Sequence, residues 1–250
     1  GSEKRVRETL NLIGLDQNYK IEIINSTDKE KRDKYVEYLY TKLQRTGQLK
    51  RDVDRLVRNE RIAFGSAMVA CKDADAMVTG NIRHYAASVE KLKQICDARK
   101  GEPIFGMTMI VFKGRTVLVA DTNVQDFPSS KRLVSVAKSC VRVSRLFGFD
   151  PKVAFLSHST FGKPISRNTK HVREAIEILR NEKVDFDFDG EMQPDVALNP
   201  QYKDIYPFSK IVGNANILIM PALHSAAIST KLMKSFGGAK LIGPLLIGLD

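Results

Sequence analysis

Apolar and polar positions recur with two different periods along this chain, and the period changes near residue 100. Before that point helical spacing dominates. Glu3–Asn18 sets Val6, Leu10 and Ile13 on one face with Gly14 as a stop, which predicts a short amphipathic helix. Tyr19–Asn25 (YKIEIIN) alternates and predicts a strand. Ser26-Thr27-Asp28, with Glu30 close behind, is a capping signal for a helix over 29–45. That helix turns Tyr35, Tyr38, Leu39 and Leu43 to one side, and Gly47 ends it. Arg51–Cys71 predicts two helices broken near Gly65, with mixed charges dense enough through residue 61 to mark exposed faces. A short apolar run at Ala74–Thr79 closes on Gly80, and a helix follows from about Tyr85 to Ala98.

Beyond Gly101–Pro103 the pattern becomes strand, helix, strand, helix. Ile104–Phe112 and Thr116–Asp121 predict a hairpin around Lys113-Gly114-Arg115. Ser129 caps a helix that runs to about Phe147. Val153–Ser157 is continuously apolar, as a strand buried on both faces of a parallel sheet must be. A helix is expected over about Thr169–Asn181, a strand at Asp185–Asp189, and another at Asn216–Met220. A helix over about Ser225–Phe236 and a final strand in IGPLLIGLD complete the chain. This order predicts an α/β fold with a largely parallel core. The change of texture divides the chain into a partial first subdomain, 3–102, and a second subdomain, 103–250.

The densest chemistry lies in DFDFDGEMQPDVAL, residues 185–198, which packs five acids into eleven residues of a basic chain. Asp185, Asp187 and Asp189 alternate with Phe186 and Phe188, as at the end of a strand, and Gly190 reads as the turn that follows. The Asp-x-Asp-x-Asp-Gly spacing imitates a calcium loop. However, the twelfth position, which must supply a bidentate acid, is Val196. A looser Mg²⁺ site from Asp187, Asp189 and Glu191 stays open. Ser157-His158-Ser159-Thr160-Phe161-Gly162-Lys163 follows a strand and offers hydroxyls and backbone N–H groups to a phosphate or carbonyl oxygen, or else simply caps the next helix. Asp121, Ser157 and Asp189 all end strands, and parallel strands would bring them to one rim, where open α/β sheets bind ligands.

Composition narrows the classes further. The net charge is +11, and most of the excess lies between Arg99 and Lys183 at ordinary surface spacing. With no aromatic RNA-binding motif, zinc-finger spacing or Arg/Gly repeat, a solvated basic face or a phosphate-binding pocket is favoured over a nucleic-acid groove. Cys71, Cys96 and Cys140 are odd in number and widely spaced, which predicts reduced thiols and a cytoplasmic setting. No apolar run approaches the ~20 residues of a membrane helix, and no signal-peptide pattern is present. Gly1-Ser2 reads as a tag remnant, so the start is expected to be a boundary inside a larger protein. Dinucleotide fingerprints, Walker loops, HExxH and GxSxG are all missing from the sequence.

Four blocks carry a resemblance: VAFLSHSTFGKP, DFDGEMQPDVAL, PFSKIVGNANILIMPALHSAAI and GGAKLIGPLLIGL. In order and spacing they resemble the phosphate acetyltransferase family, weakly over the first 100 residues and strongly after Arg115. One branch of that family is a free-standing enzyme that moves an acetyl group between CoA and phosphate. The other is the C-terminal domain of bacterial NADP-dependent malic enzymes, and Ser157-His158-Ser159, Glu191-Met192-Gln193 and Ala226-Ala227-Ile228 are similar to that branch. The resemblance implies a three-layer α/β/α fold of the isocitrate and isopropylmalate dehydrogenase type, with two subdomains around a cleft. It implies an acyl-CoA site built from Asp121, Ser157, Ser159, Thr160, Lys163, Asp189, Glu191, Gln193 and Asn216, with acetyl-CoA as the effector and a homodimer or higher oligomer as the assembly. A parent enzyme would use NADP and Mg or Mn to decarboxylate malate oxidatively to pyruvate; no cofactor is expected in this chain, and neither nucleic acid nor membrane is an expected partner. Free-standing members place a Thr and a phosphate-holding Arg where this chain has Tyr85 and Glu90. Their catalytic Ser, Arg and Asp lie beyond the position of Asp250, so this chain is expected not to transfer acetyl groups; a catalytic phosphate acetyltransferase is the alternative.

Overall fold

The computed structural model describes residues 3–15, 21–80, 84–121, 124, 126–164 and 169–249. The chain divides into two compact units, residues 1–97 and 98–249.

The described residues of the first unit form helices α1 (Glu3–Leu12), α2 (Lys29–Leu43), α3 (Lys50–Asn59), α4 (Arg61–Ala70) and α5 (Tyr85–Ile95). The capping signal works as read: the Asp28 side chain accepts from the N–H of Lys31. Tyr35, Val36 and Leu39 of α2 pack with Val53 and Val57 of α3, with Ala63 and Ala67 of α4 and with Ile95 of α5. Burying each of the larger apolar side chains contributes about 1.5–3 kcal/mol. The buried Tyr35 ring meets Phe64 edge-on at 5.1 Å, and its hydroxyl donates to Asp73 at 2.9 Å.

Two expectations fail here. The break in 51–71 falls at Glu60, whose backbone is extended, rather than at Gly65. Gly65 lies inside α4, where the Met77 sulfur packs over it, 2.5 Å from where a side chain would begin, so it does not end a helix. Of the strand expected over 19–25, Tyr19 and Lys20 lie outside the described residues, and 21–25 join no ladder among those that are described. Alternation assigns side chains to faces, but a strand also needs a neighbour to take its N–H and C=O groups.

The second unit is a six-stranded sheet between two helical layers. Its strands are β1 (Phe105–Phe112), β2 (Arg115–Ala120), β3 (Lys152–Leu156), β4 (Asp187–Met192), β5 (Ile217–Ile219) and β6 (Lys240–Ile247), in the order β4-β3-β5-β2-β1-β6. The strands from β4 to β2 are mutually parallel, while β1 runs against both of its neighbours. β1 and β2 form the expected hairpin. Lys113 and Gly114 both take positive φ, 47° and 75°, the requirement of a tight two-residue turn whose twist matches the strands. Alternation then fills the two faces. Leu118, Ala120, Val153, Phe155, Ile217 and Ile219 face α6 (Ser130–Leu146) and α7 (Lys170–Glu182). Val117, Val119, Ala154, Leu156 and Leu218 face the layer that includes α8 (Pro194–Leu198) and α9 (Leu223–Gly237).

β4 corrects the reading of the acidic stretch. The strand begins at Asp187, not Asp185, and continues through Gly190 to Met192. Gly190 makes no turn. It lies against β3 so closely that a side chain would meet the carbonyl oxygen of Phe155 at 2.6 Å, and the ladder shifts register beside it. The glycine serves close strand approach, so Glu191 and Met192 stay in the sheet.

Candidate functional site at the C-terminal ends of the parallel strands

β2, β3, β4 and β5 finish at one rim, and α6, α7, α8 and α9 all start there. The positive ends of the three longer helices therefore point towards the same edge of the sheet. α6 is capped by the Ser129 side chain, whereas neither Thr169 before α7 nor Ala222 before α9 makes a side-chain cap.

The centre of the rim is Glu191, with 1% of its surface exposed. One carboxylate oxygen accepts from the Ser159 hydroxyl at 3.0 Å, the Gly162 N–H at 3.1 Å and the Arg173 guanidinium at 3.2 Å. Burying a carboxylate is costly unless it is paired and hydrogen-bonded, and these three donors meet that condition. The backbone reinforces them: the Phe161 N–H donates to the Glu191 carbonyl, and the Ser157 N–H to that of Met192. Ser157 and Ser159 share a hydrogen bond at 3.2 Å, and the Ser159 N–H also donates to the Ser157 hydroxyl. Ser159 has no exposed surface, so its hydroxyl is a brace for Glu191 rather than a nucleophile open to substrate.

The turn after β3 closes on itself through reciprocal backbone bonds between Thr160 and Lys163, 2.9 and 3.1 Å. The Thr160 hydroxyl accepts from the Gln193 N–H, and the Gln193 amide donates to the His158 carbonyl at 2.7 Å. The loop is thus tied to the end of β4 at several points, with Lys163 in solvent. At the neighbouring strand end, buried Asp121 accepts from the N–H groups of Gly106 and Val124. Arg132, in the first turn of α6, donates to the Ile104 carbonyl. Burial pulls its pKa below the ordinary arginine value, and the charge of Asp121 acts the other way.

Of the nine residues proposed for the site, Asp121, Ser157, Ser159, Thr160, Lys163, Glu191 and Gln193 lie at this rim. Asp189 does not. It sits within β4 opposite Ala154, and its carboxylate takes the Gly190 N–H at 2.9 Å and Arg180 of α7 at 3.5 Å. Asn216 is at the opposite end of the sheet, ahead of β5. There its side chain accepts from the Lys152 N–H and donates to the Asp150 carbonyl, joining the starts of two strands. Asp195, in the first turn of α8, accepts from the Tyr202 hydroxyl, which raises the Tyr202 pKa. Among the described residues no three His, Cys, Asp or Glu side chains converge on a metal position. All three cysteines are free, and burial raises each thiol pKa, most strongly for the fully buried Cys140, which makes them poor nucleophiles.

Sequence reasoning missed Arg173, although a signal was present. The first turn of α7 carries Lys170, His171 and Arg173 and no acid, against the preference of a helix N-terminus for negative charge. A cation placed there implies an acidic partner, and Glu191 is that partner. Glu90 is exposed on α5 and pairs with Lys93.

The comparisons agree with this architecture. The phosphate acetyl/butaryl transferase family matches residues 1–250. The chain is 44% identical to an NADP-dependent malic enzyme of Rhizobium meliloti, covering all of this chain and 33% of that protein. It is 32% identical to a phosphate acetyltransferase of Thermoanaerobacterium thermosaccharolyticum, covering 94% of this chain and 74% of that one. A phosphotransacetylase structure from Streptococcus pyogenes superposes with a TM-score of 0.83 at 31% identity, over all of this chain and 76% of that chain. The chain spans about a third of the length of the malic enzymes it matches first. Among the described residues no helix is long and apolar enough to cross a membrane. The chain belongs to the phosphate acetyl/butaryl transferase family.

Proposed function

We propose that this chain is the C-terminal phosphate acetyltransferase-like domain of an NADP-dependent malic enzyme, and that it binds acetyl-CoA to regulate that enzyme rather than transferring the acetyl group itself. The observation that carries this reading is the commitment of the rim's reactive side chains to one another. Ser159 is buried on Glu191, and Glu191 is occupied by Ser159, Gly162 and Arg173. What remains for a ligand is a stiff loop surface, the exposed Lys163 and the starts of α7 and α9. That combination suits holding a polar, phosphate-bearing molecule better than performing nucleophilic or acid–base chemistry on it.

The parent enzyme's work, oxidative decarboxylation of malate to pyruvate with NADP and Mg or Mn, belongs to other parts of such a protein. In the parent, this domain also supports assembly into a homodimer or larger oligomer. Regulation requires that acetyl-CoA bind one state of the enzyme better than another. The test uses the full-length protein. NADPH formation from malate is followed with and without acetyl-CoA, and acetyl phosphate formation from acetyl-CoA and phosphate is assayed beside it. A change in malate oxidation with no acetyl phosphate above background is the expected result.

The second reading, a catalytic phosphate acetyltransferase, is favoured by the match to the Thermoanaerobacterium enzyme over most of that protein's length. Robust acetyl phosphate turnover would select it.

A further inference from the structure

The first unit contains a groove that the rim of the second does not involve. α3 and α5 both lie against α2 but stand apart from each other, and a cavity of about 760 Å³ opens between them over the end of α2. The volume lies within the range of small-molecule sites, roughly 300–1,000 Å³. Its walls are single helix faces: Asp52, Arg55, Leu56 and Asn59 follow the three- and four-residue spacing on α3, as do Lys91, Gln94 and Ile95 on α5.

The lining is apolar along one strip and carries a cation on each wall, Arg55 on one and Lys91 on the other. Leu43, Leu56 and Ile95 supply the strip. Arg55 has no ion-pair partner among the described residues. Lys91 is half-buried, and among the described residues its ammonium reaches only the Gln94 side-chain oxygen, at 3.5 Å. Other surface cations of this unit are committed to acids: Lys34, Lys42, Lys50 and Arg58 each sit within 2.8 Å of a carboxylate. Two uncommitted cations on opposite walls above an apolar strip fit a ligand with an anionic head and an apolar body. Asp52 and Glu60 also line the groove and lower its net positive charge, which favours a ligand of low charge over a polyanion.

We propose that this groove binds a small amphiphilic monoanion, of the class of a medium-chain carboxylate, with its charge between Arg55 and Lys91 and its body on Leu43, Leu56 and Ile95. The site is independent of the acetyl-CoA reading.

The test is fluorescence titration of the intact chain with 8-anilinonaphthalene-1-sulfonate, a singly charged aromatic anion, followed by competition with octanoate and with pyrophosphate. The expected result is a site weakened at least about tenfold, equivalent to ~1.4 kcal/mol, by Arg55→Glu with Lys91→Glu. Phe236→Ser with Leu232→Ser should leave it unchanged; those residues form an exposed apolar stripe on α9 that could also attract the dye. Octanoate should displace the dye, and pyrophosphate should not. Unchanged dye affinity in the charge-reversed protein, loss of the signal in the α9 variant, or displacement by pyrophosphate alone would each overturn the proposal. Should charge reversal unfold the chain, amide shifts in the unmodified protein decide: dye-induced shifts at Arg55, Lys91 and Gln94 support the site, and shifts confined to other elements refute it. Acetyl-CoA titrated into the same variants should bind as it does to the unmodified chain, so failure of one reading does not pass for failure of the other.

Discussion

The two ends of the parallel strands look alike in sequence and do different work in the structure. Both carry polar residues next to apolar runs. At the starting end, Asn216 joins the first residues of β3 and β5, and the Arg115 guanidinium donates to the carbonyls of Leu198, Gly213 and Ala215. Every one of those bonds goes to the backbone of the same unit, and none is offered to a ligand. At the finishing end the bonds run between side chains and a loop, and they leave that loop's outer surface, with Lys163, to solvent. Polar residues that knit strands together are structural. Those that hold a loop in one shape beside helix N-termini prepare a binding surface.

Substitutions at the two ends should therefore separate stability from binding. The largest effect is expected for Glu191→Ala, which leaves the Arg173 charge and the buried Ser159 hydroxyl without their acceptor. The loss should be about 3 kcal/mol, because breaking one partner out of a buried pair leaves the other uncompensated. Urea unfolding measures it, and acetyl-CoA binding should fall with it because the 157–163 loop loses its brace. Arg115→Met comes next. It keeps the apolar stem and removes hydrogen bonds to three carbonyls, for about 2 kcal/mol of stability, with acetyl-CoA affinity unchanged. Asn216→Ala removes two bonds to the backbone and should cost about 1 kcal/mol, again with unchanged affinity. A loss of affinity in either of the last two, at equal fold, would erase the distinction between the ends.

The smallest effect lies outside both ends. Lys34 and the Tyr35 hydroxyl hold the Asp73 carboxyl below its ordinary pKa. A carboxyl whose folded pKa is depressed contributes stability above its unfolded value, near pH ~3.9, and loses it as the pH falls through the folded value. Asp73→Asn should accordingly flatten the acid limb of the unfolding profile below about pH 4 and leave neutral-pH binding alone.

The second unit was the more legible part of the chain, for a physical reason. Val153–Leu156 and Ile217–Ile219 are buried on both faces, so they read as continuous apolar runs, and Lys113-Gly114 marks the turn between β1 and β2 because both residues take positive φ. The hairpin, the helix capped by Ser129 and the parallel core all follow from local pattern. Glycine misled twice. Gly65 and Gly190 were read as breaks, yet each makes space, one for the Met77 side chain and the other for the Phe155 carbonyl. A glycine that turns the chain and a glycine that admits a neighbour are the same letter, and only the neighbour tells them apart.

The rim was legible as a convergence of strand ends, but not in its wiring. Seven proposed residues share the rim because parallel strands finish together. Asp189 fell outside it because β4 runs on through Gly190 to Met192 and leaves Asp189 inside the strand, and Asn216 because it stands ahead of β5, at the starting end of the sheet. The reversed roles of Ser159 and Glu191, inward braces rather than ligand contacts, depend on Arg173 reaching across from α7, a contact between residues eighteen positions apart.

The central claim is that the finishing end of the sheet is where an acyl-CoA is held. Calorimetric titration of acetyl-CoA into the intact chain, beside its Lys163→Glu and Asn216→Ala variants, tests it most directly. The account predicts one site in the unmodified chain, affinity reduced by about tenfold, or ~1.4 kcal/mol, on reversing the charge of Lys163, and unchanged affinity for Asn216→Ala. Absence of binding in the unmodified chain, or binding that ignores Lys163 and follows Asn216, would contradict it.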